Sequence, residues 1–112
     1  MNYRIIPTPK FRKEAKRLAK KHPSLKSDLY SFEKELSNNP HLGTSLGNNA
    51  FKIRLAIKSK GKGKSGGARV ITYLMDKDSE IYLLTIYDKS EIESVNDNTL
   101  RNLIAEIKGR NN

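Results

Sequence analysis

The chain has 112 residues and a formal net charge of +10 at neutral pH, from 22 Lys and Arg against 12 Asp and Glu. This length predicts one domain over residues 1–112 with a single modest core. The charge exceeds what solubility requires and favours an acidic partner such as nucleic acid. No apolar stretch suits a bilayer span or a secretion signal, and there is no cysteine for a disulfide framework. These features predict a cytoplasmic protein with no membrane partner.

The first part of the chain predicts a strand followed by a helical hairpin. The strand covers residues 3–6, and Thr8 with Pro9 predicts a helix start, because a hydroxyl can cap and proline suits the first helical position. Apolar residues recur at helical spacing in this helix and in the next, which ends near Pro40. The two inner faces are Phe11, Ala15, Leu18 and Ala19, and then Leu25, Leu29, Phe32 and Leu36.

The second part of the chain predicts three strands and a final helix. Residues 43–49 are expected to form a loop, and residues 51–58 alternate between apolar and basic side chains as a strand does. Two further strands, roughly 68–75 and 81–87, are joined by a tight turn. Asn96 or Asp97 can cap a last helix, whose apolar face is Leu100, Leu103, Ile104 and Ile107. The order β-α-α-β-β-β-α predicts an α+β fold, with the helical hairpin and the C-terminal helix packed on an antiparallel sheet.

The hairpin between Phe51 and Val70 contains basic side chains and no acidic one. Its seven cations are Lys52, Arg54, Lys58, Lys60, Lys62, Lys64 and Arg69. Lys52 and Arg54 project from the same strand face, and Arg69 opens the return strand, while residues 60–67 are expected to form a flexible turn. A phosphate backbone would relieve the repulsion among these charges through counterion release and charge-assisted hydrogen bonds. The hairpin therefore predicts a polyanion-binding surface, against the alternative of a solvated charged face.

Neither a metal site nor a cofactor site is predicted. His22 and His41 have no third ligand nearby in the sequence. Gly63-Lys64-Ser65 is similar to the end of a P-loop, but the first glycine of that motif would fall at position 58, which is lysine. No nucleophile–histidine–carboxylate set can be assembled either.

Cleavage of RNA would need three groups on this surface. The 2′-hydroxyl requires a base, the phosphate oxygens require cations such as arginine, and the leaving 5′-oxygen requires an acid. A lysine can act as the base if neighbouring positive charges lower its pKa. Tyr73, Tyr82 and Tyr87 could stack on unpaired bases, and Tyr87 is the best candidate because it lies at a strand end. Composition alone does not separate cleavage from plain RNA binding.

Residues 51–91 resemble the RelE/ParE toxin superfamily, and most closely its HigB-like branch. The resemblance rests on a K-I-R strand, a Lys/Gly loop, a G-G-x-R-V-I-x-Y strand and a Y-L-L-T-I-Y-x-K-x-E segment. It implies a RelE-like fold and a toxin of a type II toxin–antitoxin system. Such a toxin is a ribosome-dependent mRNA endonuclease (an mRNA interferase) that binds mRNA in the ribosomal A site, stops translation and cleaves by metal-free 2′-hydroxyl attack. Its expected partners are mRNA, the ribosome and a cognate antitoxin, here a helix-turn-helix HigA-like protein.

The resemblance also implies roles for individual residues. The catalytic candidates are Lys52, Arg54, Arg69, Tyr87 and Lys89. The candidates for RNA or ribosome binding are Lys58, Lys60, Lys62, Lys64, Arg12, Lys13, Lys16 and Tyr73. The chain departs from the RelE pattern at Ser90 and Asn96, where that pattern has an arginine and a catalytic tyrosine, so the general base stays unassigned.

These two departures keep two alternative functions open. One is a ParE-like toxin that shares the fold but inhibits DNA gyrase by binding. The other is a non-catalytic RNA- or ribosome-binding module, in which the basic loop only holds RNA. The basic first helix could accept an acidic segment of an antitoxin in the toxin case, or it could be an ordinary solvated face.

Overall fold

A computed structural model describes residues 2–92 and 94–110 of the chain. The helices are α1 (Pro9–Lys21), α2 (Leu25–Asn38) and α3 (Asp97–Arg110), and the strands are β1 (Arg4–Pro7), β2 (Thr44–Gly47), β3 (Ala50–Leu55), β4 (Ala68–Met75) and β5 (Glu80–Asp88). Short 3₁₀ turns, Lys58–Lys60 and Asp76–Asp78, follow β3 and β4. None of the described helices is long and apolar enough to cross a bilayer.

The start of α1 follows the sequence prediction. The Thr8 hydroxyl accepts the Phe11 N–H at 3.2 Å, which caps one of the free amides of the first turn. The same hydroxyl donates to the Leu83 carbonyl at 2.9 Å, and Pro9 occupies the first helical position. One side chain therefore both starts α1 and fixes it over β5.

The sheet differs from the prediction in two respects, while the α+β class is confirmed. Its strand order is β1-β5-β4-β3-β2. β1 pairs with β5 in parallel, so the expectation of a purely antiparallel sheet was wrong; the long excursion through the helical hairpin lets β1 run alongside β5. The second difference is β2, which lies in the stretch predicted to be a loop. It is a strand because the backbone of 44–47 pairs with 50–52, although its residues are all exposed and show no apolar alternation.

Two apolar layers cover the two faces of the sheet. α1 and α2 pack on one face through the residues predicted for their inner faces, and Ile53, Val70 and Leu83 meet them from the sheet. Ile104 and Ile107 of α3 belong to the layer on the other face, with Ile71, Tyr73 and Tyr87 from the sheet. Lys52 and Arg54 alternate with the buried residues of β3, so they project on the same face as α3.

The single acidic residue of the first 26 residues has a structural role. One Glu14 oxygen accepts the Thr85 hydroxyl at 2.7 Å and the Ile86 amide at 3.2 Å. These contacts lie at an irregularity in β5, where Ile71 pairs with Thr85 but Thr72 pairs with Leu83. Glu14 thus satisfies a ladder amide beside a β-bulge, where pairing with the neighbouring strand is disrupted.

Candidate nucleic-acid interface

Three of the seven hairpin cations line one open cavity of about 560 Å³. Lys52 and Arg54 reach it from β3, and Lys64 reaches it from the loop between β3 and β4. Within the described part of the chain, none of the three has a carboxylate at ion-pair distance. We call this cavity the cationic groove. Three unpaired cations around one concavity can hold an anionic backbone.

A smaller cavity of about 190 Å³ continues the cationic groove towards α2. The two cavities share Leu42, Ile53, Arg54 and Lys64. The far wall of the smaller cavity comes from α2, in the form of Asp28, Ser31, Phe32 and Glu35. We call it the side pocket. It differs from the groove in offering acidic and apolar groups beside the cations.

The loop between β3 and β4 is held at its root rather than flexible there. Asp28 accepts the Lys58 amide at 3.1 Å, and the Ser24 hydroxyl accepts the Ser59 amide at 2.8 Å. The hydroxyl of Ser24 also donates to Asp28 at 2.7 Å. Residues 58–60 thus form a 3₁₀ turn fixed to the N-terminal end of α2, and β3 is shorter than predicted.

Lys60 is bound by a buried carboxylate. Its ammonium lies 2.8 Å from Asp88, and the two side chains are 11% and 4% exposed. Ser90 donates to Asp88 through its amide at 2.9 Å and its hydroxyl at 2.7 Å, and His22 Nε2 lies at 3.1 Å. Burial opposes ionisation, but the hydrogen bonds of Lys60, Ser90 and His22 outweigh it and hold the pKa of Asp88 well below its ordinary value. In this structure Lys60 is therefore part of a structural ion pair.

Arg69 is also engaged inside the protein. It is 5% exposed, and its guanidinium donates to the carbonyls of Lys64 at 3.0 Å, Ala68 at 3.1 Å and Ser65 at 3.3 Å. Arg69 pairs with Arg54 on one side and with Tyr87 on the other in the strand register. Arg54, Arg69 and Tyr87 therefore lie side by side on three neighbouring strands, but only Arg54 is open to solvent.

Tyr87 presents a buried hydroxyl without a hydrogen-bond partner among the described residues. The side chain is only 3% exposed. Burial raises the pKa of Tyr87, and the nearby Arg69 charge opposes that rise. The phenol therefore stays protonated at neutral pH, which suits a proton donor rather than a base.

The remaining predicted residues lie at several separate places. Lys89 is exposed, and its amide donates to the Gly67 carbonyl at 3.2 Å. Lys58 lines the side pocket, and Lys62 is exposed on the loop. Tyr73 is 5% exposed within the layer under α3, so it offers no stacking face in this structure. Exposed cations of α1 lie on the helical-hairpin side of the sheet, away from the groove: Arg12, Lys13 and Lys16.

Both departures from the RelE pattern have structural roles. Ser90 binds Asp88, as described above, and Asn96 caps α3 by accepting the Thr99 amide at 2.8 Å. The sequence prediction of a cap at Asn96 or Asp97 is thereby resolved in favour of Asn96. Among the described residues, no cluster of three His, Asp or Glu side chains could hold a metal ion.

Sequence reasoning missed three carboxylates that shape this region. No role was predicted for Asp88, although an Asp side chain commonly bonds the backbone two residues later in a local turn. Asp28 and Glu35 lie on α2, where Ser31 and Glu35 are four residues apart and so share a face. That spacing was the available signal for a polar wall on α2.

Comparison with known proteins places this geometry in a familiar fold. No family model matches the chain. The structure of the E. coli toxin RelE, an arginine-to-alanine double variant in the free state, aligns with a TM-score of 0.64 at 15% identity, over 96% of this chain and 99% of that one. A chain of the toxin–antitoxin complex RelBE2 from Mycobacterium tuberculosis aligns with a TM-score of 0.54 at 14% identity, over 79% and 92%. The chain therefore has the RelE-like fold that its sequence predicted.

Proposed function

We propose that this chain is the toxin of a type II toxin–antitoxin system and that it cleaves mRNA on the ribosome. The observation that carries the proposal is the cationic groove, where Lys52, Arg54 and Lys64 face one cavity and have no carboxylate partner in the described part of the chain. An mRNA backbone is the polyanion that such a groove suits. The RelE-like fold and the resemblance of residues 51–91 to the HigB-like branch support the same function.

The proposed reaction is an internal transfer at one phosphate. The 2′-oxygen attacks the adjacent phosphorus, the bond from phosphorus to the 5′-oxygen breaks, and the 2′-hydroxyl proton leaves to a base. A cyclic phosphate and a 5′-hydroxyl result, the latter after a proton reaches the leaving oxygen. Arg54, Lys52 and Lys64 would stabilise the charge on the phosphate oxygens. Tyr87 or Lys89 would serve as the acid, and the base stays unassigned.

Arg69 enters this scheme only after the loop moves. The carbonyls of Lys64 and Ser65 occupy its guanidinium, as phosphate oxygens would in a complex. A phosphate that reaches Arg69 must displace them, and the same movement would uncover the Tyr87 hydroxyl. Gly61 and Gly63, both at positive φ, give the loop backbone conformations that side chains disfavour.

The proposed partners follow from the charge and the fold. The ribosome and mRNA would contact the groove and the exposed lysines of the loop. A cytoplasmic antitoxin of the HigA-like, helix-turn-helix kind would neutralise the toxin. Arg12, Lys13 and Lys16, which are exposed on α1, offer a binding surface to an acidic segment. The solved RelBE2 structure is itself a toxin–antitoxin complex, which supports an antitoxin partner in general.

The experiment is inducible expression followed by mapping of transcript ends. We expect growth arrest and new 5′ ends within translated regions. Arg54→Ala should restore growth and remove these ends, because Arg54 is exposed and its loss leaves the fold intact. Arg101→Ala is the matched control, since Arg101 is an exposed arginine of α3. Arg69→Ala would be less informative, because Arg69 also holds the loop.

Persistent toxicity of Arg54→Ala with unchanged transcript ends would contradict the proposed site. A circular-dichroism melt of both variants separates loss of function from loss of folding.

The buried state of Arg69 and Tyr87 favours a second candidate, a toxin that binds without cutting. In its ParE-like form it would inhibit DNA gyrase, and in its other form it would only occupy RNA or the ribosome. Growth arrest with a DNA-damage response and intact transcripts would select the gyrase inhibitor. Arrest with stalled ribosomes and intact transcripts would select the binding module.

A further inference from the structure

We infer that the side pocket is a nucleobase site that selects guanine next to the phosphate held in the cationic groove. This inference rests on the proposed function, because it assigns a second subsite to the same RNA. The pocket is smaller than the roughly 300–1,000 Å³ of pockets for drug-sized ligands, so a single ring system suits its volume of about 190 Å³.

Continuity with the cationic groove identifies the occupant as part of the same strand. Arg54 and Lys64 line both cavities, so a phosphate between them has the side pocket directly beside it. In single-stranded RNA, an unstacked base can turn away from its neighbouring bases and enter such a pocket. The pocket interior is apolar on the side of the sheet, where Leu42, Ile53 and Leu55 line it. Leu42 is partly exposed, so a base plane can pack on its side chain.

The wall from α2 supplies the polar contacts. Ser31 and Glu35 are four residues apart on α2, exposed, and both line the pocket. Neither side chain has a hydrogen-bond or ion-pair partner among the described residues. Glu35 is thus an unengaged carboxylate in a cavity that also holds Arg54, Lys58 and Lys64. By contrast, four other carboxylates form ion pairs, namely Glu14, Glu80, Asp88 and Glu91.

The free edge of β3 supplies further contacts. A Cβ on Gly43 would lie 2.5 Å from the Lys52 carbonyl, while a Cβ on Gly67 would lie 2.1 Å from the Leu55 carbonyl. The first carbonyl therefore points towards β2 and the second towards β4. Peptide groups alternate in direction along a strand, so the amide and carbonyl of Arg54 point away from β4. Among the described residues, β2 pairing ends at Lys52, so no strand lies beside Arg54 on the side away from β4.

The chemistry of these groups favours guanine. A carboxylate accepts hydrogen bonds only, and its two oxygens match two adjacent donors. Guanine offers such a pair on its Watson–Crick edge, the N1–H and the N2 amino group, whereas adenine offers one donor beside an acceptor that a carboxylate repels. Ser31 and the Arg54 peptide group can then bond the remaining edges. Glu35 is thus the residue that we expect to determine specificity.

The test is the sequence around the transcript ends produced by the wild-type protein and by Glu35→Gln. We expect guanine at one fixed position relative to the cut, enriched over adenine by about 5- to 150-fold, the range for one bidentate base contact. In Glu35→Gln, an amide replaces one acceptor by a donor, so the enrichment should fall at least about fivefold. Glu33→Gln is the matched control, because Glu33 lines a different cavity on the same helix.

Binding of purified protein provides a second readout. Two labelled single-stranded RNA hexamers that differ by one guanine-to-adenine change should differ in affinity for the wild-type protein and for Glu33→Gln. They should bind Glu35→Gln alike.

The outcomes distinguish failure of the guanine site from failure of the proposed nuclease function. Cut transcripts with no base preference, or with the wild-type preference retained in Glu35→Gln, would overturn the guanine site and leave the nuclease intact. Absence of cut transcripts, with Arg54→Ala still toxic, would overturn the proposed function and the guanine site with it.

Discussion

The seven cations between Phe51 and Val70 divide into two regions with opposite roles. Around the root of the loop, Arg69 is buried and Lys60 is partly buried, and their charges bind protein groups: main-chain carbonyls for Arg69 and Asp88 for Lys60. In the cationic groove, Lys52, Arg54 and Lys64 have no such partners among the described residues. A dense run of positive charge can therefore contain some cations that stabilise the fold around a site and others that remain available to bind a ligand.

Lys60 and Lys64 offer the sharpest test of this division, because both are lysines of one loop. Lys60→Met should lower the free energy of unfolding by about 3 kcal/mol, since it leaves a buried carboxylate without its cation. Lys64→Met should change it by less than about 0.5 kcal/mol. Urea unfolding measures both. RNA binding should weaken more in Lys64→Met than in Lys60→Met. Lys64→Met should also reduce the salt dependence of binding by about one counterion. Equal destabilisation by the two changes would break the comparison.

Arg69 and Arg54 form a second matched pair, since they face each other across two strands. Arg69→Ala should cost about 2 kcal/mol of stability, as hydrogen bonds from a charged group to buried carbonyls are lost. Arg54→Ala should leave the midpoint of chemical unfolding unchanged and abolish transcript cleavage. Amide exchange of residues 61–67 should accelerate in Arg69→Ala alone, and protected amides there would show that the loop does not depend on this guanidinium.

The Asp88 cluster predicts a loss of stability in acid. Folding lowers the pKa of Asp88, so the unfolded chain binds a proton more readily than the folded protein does. The ionised carboxylate therefore makes its full contribution to stability above the ordinary Asp pKa of about 3.9. Stability should therefore fall as the pH drops from about 4. Arg17 and Lys21 lower the pKa of the exposed Glu91 to about 2 and add a smaller, salt-sensitive part over the same range.

Thermal melts from pH 7 to pH 2.5 measure this effect, with Asp88→Asn as the comparison. The variant should be less stable at pH 7 and should lose less on acidification. A parallel decline in both proteins would place the acid sensitivity elsewhere.

The smallest expected effects on the free energy of unfolding come from removing the hydroxyls of Tyr87 and Tyr82. The Tyr82 hydroxyl donates to Glu80 at 3.0 Å, so Tyr82→Phe should cost about 1 kcal/mol. Tyr87→Phe should be neutral or stabilising by up to about 1 kcal/mol, because it removes a buried hydroxyl to which no described residue is hydrogen-bonded. Transcript cleavage should fall in Tyr87→Phe if this hydroxyl donates the proton, and full cleavage would remove Tyr87 from the proposed mechanism.

Local patterns predicted much of the fold because they act over a few residues. The Thr8 cap, the inner faces of α1 and α2 and the bounds of β4 all follow from spacing and capping chemistry. β2 escaped prediction, because its exposed side chains carry no alternation and only its backbone pairing makes it a strand. The parallel partner of β1 lies more than 70 residues away, and no local signal specifies it.

The sequence predicted where the candidate site lies, but not which of its cations are free to bind a ligand. The chain's own residues determined that cations would gather on a hairpin, that Lys52 and Arg54 would share a face, and that three helices would cover a sheet. Only the tertiary structure decided which cations stay free, because Asp88 of β5 pairs with Lys60 and the folded loop brings main-chain carbonyls to Arg69. The physical reason is that a charge is neutralised by whatever lies within a few ångströms in space, and sequence distance says little about that neighbour.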